Sequence, residues 1–101
     1  MPPSARTAAH RAQQAWIQGQ AYARQGRWRE AARRFDQAAK LQPRDVLYFL
    51  NLSDAHLKAG QAEDALAAAV AARRAEPGDA LALALQANAL LRLNRHEALV
   101  E

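Results

Sequence analysis

The residue types able to bind metal, attack a carbonyl or relay a proton are few in this 101-residue chain: three histidines, two serines, ten carboxylates and no cysteine. Their spacing supports none of these chemistries. His10, His56 and His96 are too far apart for the short helical spacing that gathers metal ligands, and thiolates are absent. Ser4 and Ser53 accompany no glycine-rich phosphate loop and no nucleophile elbow. Glu63 and Asp64 stand where a helix begins, a place that suits carboxylates because the positive end of the helix dipole favours them. The expectation is a chain that is no enzyme and takes no metal and no cofactor.

Residues suited to binding are better represented. Arg24, Arg27, Arg29, Arg33 and Arg34 form a cluster, and residues 1–45 hold nine Arg or Lys against three Asp or Glu, while residues 46–101 hold five against seven. Such a basic corner attracts acidic protein surfaces, with an affinity that falls as salt rises. Nucleic acid is not expected, because no aromatic-interleaved strand platform or recognition helix accompanies the arginines. Trp16 can serve as a binding anchor, being of the aromatic type that dominates interface energetics, or it can turn inward beside the small Ala15. The sequence leaves both readings of Trp16 open, whereas Trp28, beside the turn glycine, reads as core packing.

The elements that must position these residues are helices. Half of the residues are hydrophobic, and alanine, which favours helix while burying little area, supplies much of that fraction. β-Branched and aromatic residues are too sparse for strands. The first residues lack the apolar block of a signal peptide, and nowhere do about 18 apolar residues run together as a membrane span requires. With no cysteine, the expected setting is soluble and cytoplasmic.

Order along the chain comes from a repeat. The stretch Gly26 to Asp45, GRWREAARRFDQAAKLQPRD, returns thirty-four residues later as Gly60 to Asp79, GQAEDALAAAVAARRAEPGD. The shared residues are those that bend a chain or let helices touch. Gly26 and Gly60 each stop a helix in the left-handed conformation, Pro43 and Pro77 end the next one, and Asp45 and Asp79 cap the one after. The spacing predicts helices near 12–25, 28–40, 46–59, 62–75 and 80–93, with Asn94 standing where the glycines stood.

A unit of this length cannot bury its own apolar face and must stack on its neighbours. The pattern Gly19, Tyr22, Ala31, Phe35, Ala38 and Pro43 resembles the tetratricopeptide repeat closely; Ser53, His56, Ala65, Ala69, Ala72 and Pro77 resemble it less completely, and Ala87 and Leu90 continue it. His56 replaces the family's tyrosine. Ala69 in place of Phe35 predicts a looser second hairpin. The resemblance implies an all-α, antiparallel helix-hairpin solenoid, divided into an extension (1–11), two complete repeats (12–45 and 46–79) and an incomplete third repeat or capping helix (80–101).

The resemblance also implies a non-enzymatic module that grips a peptide or partner helix in the concave groove formed by the first helix of each repeat. The groove residues carried over are Gln13, Trp16, Gln20 and Arg24, then Leu47, Leu50, Asn51, Asp54 and Lys58, then Leu81, Leu85, Asn88 and Arg92. Asn51 matches the asparagine of members that clamp chaperone C-termini. The clamp itself is not expected, because Trp16, Gln20, Leu81 and Leu85 occupy its other positions and leucine cannot bind a carboxylate. A rival reading makes the chain the N-terminal targeting or regulatory segment of a longer enzyme, such as a glycosyl- or sulfotransferase. Leucines lie on nearly every side of the last helix, which predicts self-association as a homodimer through Leu81, Leu85, Leu91 and Leu93, with residues 95–101 frayed or docked across it.

Overall fold

A computed structural model describes the backbone of residues 5–100 and the side chains of residues 6–94. It comprises five helices: α1 (Ala5–Arg24), α2 (Trp28–Leu41), α3 (Val46–Lys58), α4 (Ala62–Ala75) and α5 (Ala80–Val100), with no strand among the described residues. Each helix packs on the next, and α3 also meets α5. First helices α1, α3 and α5 thus line one side and α2 and α4 the other, in a solenoid 52 × 31 × 23 Å.

The reversals are built alike. Arg27 N–H donates to the Tyr22 carbonyl (3.0 Å) and Gly26 N–H to that of Ala23 (3.0 Å); Gln61 and Gly60 repeat these bonds to His56 (2.8 Å) and Leu57 (3.1 Å). These are Schellman closures, which need a left-handed residue just past the helix. Gly26 and Gly60 supply it at φ 74° and 79°. The proline turns also match, with Asp45 N–H bonded to the Gln42 carbonyl and Asp79 N–H to that of Glu76, both at 3.1 Å. Each aspartate then caps its helix, Asp45 accepting from Leu47 N–H (3.0 Å) and Asp79 from Ala82 N–H (2.9 Å).

Two boundaries differ from the sequence expectation. Helix α1 begins at Ala5, so the supposed extension is helical from that residue on; its ARTAAHR run is rich in alanine and holds no breaker. Helix α5 passes through Asn94 to Val100. Asparagine pays a steric cost for the left-handed conformation that glycine escapes, and the residues after it, RHEALV, favour helix. Of the fraying or docking expected of residues 95–101, the helical backbone to Val100 bears on the first; docking concerns side chains outside the described residues, where residues 1–4 and 101 also lie.

The core shows why small residues recur. Gly19 is buried against Phe35, and a Cβ there would lie 2.6 Å from two ring carbons. In the second hairpin Ser53 takes the glycine's place, fully buried, and its hydroxyl donates to the Ala65 carbonyl (2.8 Å). The ring missing at Ala69 is replaced from other helices: Leu50 and Leu57 of α3 and Leu85 of α5 pack with Ala65, Ala69 and Ala72.

Candidate functional site

Helix α1 presents Gln20 and Arg24 one turn apart, and α3 presents Asn51, Asp54 and Lys58 opposite them; between the two helices, Trp28 of α2 contributes aromatic surface, with the buried Phe35 beneath it. Together with Ala23 and Ala55, these residues line an open pocket of about 520 Å³. Trp16 stands behind this lining, its Nε1–H donating to Asn51 Oδ1 (2.7 Å) and its ring packing against two of the core clusters. Of its two sequence readings the structure shows the inward one: the ring packs on the core, and its indole N–H holds Asn51, a residue of the pocket.

The charges are arranged unequally. Lys58 Nζ lies 3.1 Å from Asp54 and 4.6 Å from the centroid of the Trp28 ring, an ion pair joined to a cation–π contact. Arg24 has no carboxylate partner among the described residues. Two groups with raised proton affinity lie away from the pocket: Tyr48, through burial and then Asp45, and Lys40, through its hydrogen bond to Asp36.

The other carried-over residues separate. Leu50 and Leu85, 9% and 7% exposed, belong to the core, because the stacking of α3, α4 and α5 covers that side of both helices. Leu47 is 44% exposed but lies outside the pocket, as do the exposed Gln13, Leu81 and Asn88. Arg92 Nη1 donates to the Leu57 carbonyl (2.6 Å), tying α5 to the end of α3, and lines a second pocket with Glu63 and Asp64. The arginine cluster is divided too. Arg24 faces the first pocket, Arg27 pairs with Glu30 and stacks 4.9 Å from the Tyr22 ring centroid, and Arg29 and Arg33 line a third pocket with Asp36, His56 and Asp64.

Sequence reasoning passed over Trp28 and Phe35 as site residues, because both occupy positions that serve core packing. The signal was the position of Trp28, two residues past the turn glycine, where a bulky ring reaches across to the end of α3.

The period, the two Schellman turns and the Gly19–Phe35 contact define the unit, and a family model described as Tetratricopeptide repeat matches residues 18–69 and again residues 50–98. The chain belongs to the tetratricopeptide-repeat family. Repeats of this family mediate protein–protein interactions and are typically non-catalytic. No curated protein matches the chain. Among the described residues, no helix of this tetratricopeptide-repeat protein is long and apolar enough to cross a membrane, and no three His, Asp or Glu side chains are placed to hold a metal ion.

Proposed function

We propose that the chain is a non-catalytic interaction module holding a peptide or helix of a partner protein between α1 and α3. The pocket lined by Gln20, Arg24, Asn51, Asp54 and Lys58 around Trp28 carries this reading, because aromatic surface framed by side-chain amides suits a peptide's mixture of apolar side chains and backbone polar groups. Nothing in the pocket calls for a free C-terminus. Peptides selected on the wild-type chain from a display library are expected to bind equally as free acids and as C-terminal amides, and to lose about tenfold in affinity on Asn51→Ala, a change of ~1.4 kcal/mol. Peptides that keep their affinity on Gln20→Ala, Asn51→Ala and Asp54→Ala, with all three variants still helical by circular dichroism, would place binding elsewhere.

A second reading concerns the outer face of α5. In the complete repeats the position of Gly19 and Ser53 is covered by the following helix; in α5 that position is Ala87, which is exposed, as are Leu83, Leu90 and Leu91 beside it. Among the described residues this face carries no charge, while the opposite end of the solenoid presents Arg11, Gln14, Gln18 and Gln37. A second copy paired across a two-fold axis covers this face without starting an open chain. The associating residues are then Leu83, Leu90 and Leu91, because Leu85 is buried, Leu93 is half-buried, and the exposed Leu81 lies about 120° around the helix from Ala87. Sedimentation equilibrium is expected to give a mass above the 11.1 kDa monomer that returns to it on Leu91→Glu. A monomer at every concentration sinks this reading.

A further inference from the structure

We infer that the α1–α3 pocket reads an internal acidic side chain of its partner through Arg24, a step that rests on the peptide-binding reading above. Each first helix carries a cation at the same place in the repeat: Arg24, Lys58 and Arg92. Two of the three are engaged within the chain, Lys58 by Asp54 and the Trp28 ring, and Arg92 by the Leu57 carbonyl. Arg24 is left with no carboxylate partner among the described residues, and it lines the pocket.

The hydrogen-bonding groups point the same way. Asn51 Oδ1 already accepts from Trp16, so the capacity that Asn51 offers a ligand is its Nδ2 donor. The pocket's one carboxylate, Asp54, is balanced by Lys58. Donors therefore exceed free acceptors, and the uncompensated charge is positive. A basic segment meets like charge there, whereas a carboxylate meets a guanidinium fork suited to binding it through both oxygens. The accessible apolar surface comes from the half-buried Trp28 and Ala23, with Phe35 and Ala55 buried beneath, so the matching segment places an apolar residue next to its Asp or Glu. One unpaired cation matches one side-chain carboxylate; a chain terminus clamped by several converging cations is not served.

The test uses acetylated, amidated peptide pools of about twelve residues, the length of a short linear recognition segment. The pools differ only in a central Glu-Leu, Gln-Leu or Lys-Leu pair, among otherwise randomised small residues. The wild-type chain is expected to prefer Glu over Gln about tenfold at low salt, with the gap closing as salt rises. Arg24→Glu should turn the preference to Lys. Arg29→Glu makes the same charge change outside the pocket and should leave the Glu preference in place. Pools that bind in an Asn51-dependent way with no charge preference overturn the assignment of Arg24 and leave the peptide-binding reading standing. A preference lost equally in Arg29→Glu does the same, since net charge alone then explains it. If no pool shows binding that Asn51→Ala weakens, both readings fall.

Discussion

Phe35→Ala is expected to destabilise the chain by about 3–5 kcal/mol, the usual cost of emptying a buried aromatic site. Phe35 is 3% exposed and packs with Gly19, Ala31, Ala32, Leu52, Ala55 and Ala68, so its loss opens space shared by α1, α2, α3 and α4. Gly19→Ala should cost ~1–3 kcal/mol by the opposite fault, because the added Cβ falls 2.6 Å from ring carbons that have little room to retreat. The two faults are complementary. The second hairpin already contains the solution, Ser53 facing a helix that carries Ala69 in place of the ring, with the serine hydroxyl bonded to Ala65. Combining Gly19→Ser with Phe35→Ala rebuilds that arrangement in the first hairpin, where the new hydroxyl has the Ala31 carbonyl as its counterpart. Urea denaturation of the four chains of this double-mutant cycle is expected to show a favourable coupling of about 1 kcal/mol or more. Costs that add to within ~0.5 kcal/mol would mean that the two positions do not share one volume.

The second large effect is expected at Leu85. Read by its place in the repeat it is a groove residue, and Leu85→Ala would then weaken a ligand and leave stability alone. Packed with Leu50, Leu57 and the alanines of α4, it instead closes the seam between the second hairpin and α5. Leu85→Ala should therefore cost about 2–5 kcal/mol, while Leu47→Ala, at a side chain 44% exposed, should stay within ~0.5 kcal/mol. In a domain of this size, thermal melts would separate the two by on the order of 10 °C or more. Equal melting temperatures would count against the packing of α5 described here.

Much of the pocket was legible in advance. Gln20, Arg24, Asn51, Asp54 and Lys58 were all named from their places in the repeat, and the structure brings them together around one pocket. Leu50, Leu85 and Arg92 were named by the same logic and lie in the core or at a helix end. The difference lies in what each helix has beside it. A place in a repeat transfers between units only when the neighbours transfer too, and α5 has no following hairpin among the described residues.

The sequence by itself determined the period, the reversals and the caps, because each rests on a few adjacent residues. A glycine past a helix end, a proline after the next and an aspartate before the third act through their own backbone and their immediate neighbours. It also placed Gly19 and Phe35 in the columns of the repeat, whereas the direct contact of the glycine with the ring is seen only in the structure. Tertiary structure decided the rest. Side chains 100° apart around a helix are neighbours of different elements, and small rotations between stacked helices choose which are covered. Those rotations buried Leu50 and Leu85 and set Trp16 against Asn51. They also laid Lys58 over Trp28, bound Arg92 to the Leu57 carbonyl and left Arg24 with no carboxylate partner among the described residues. No local pattern encodes them, because each depends on residues some thirty positions away whose approach exists only once the helices have stacked.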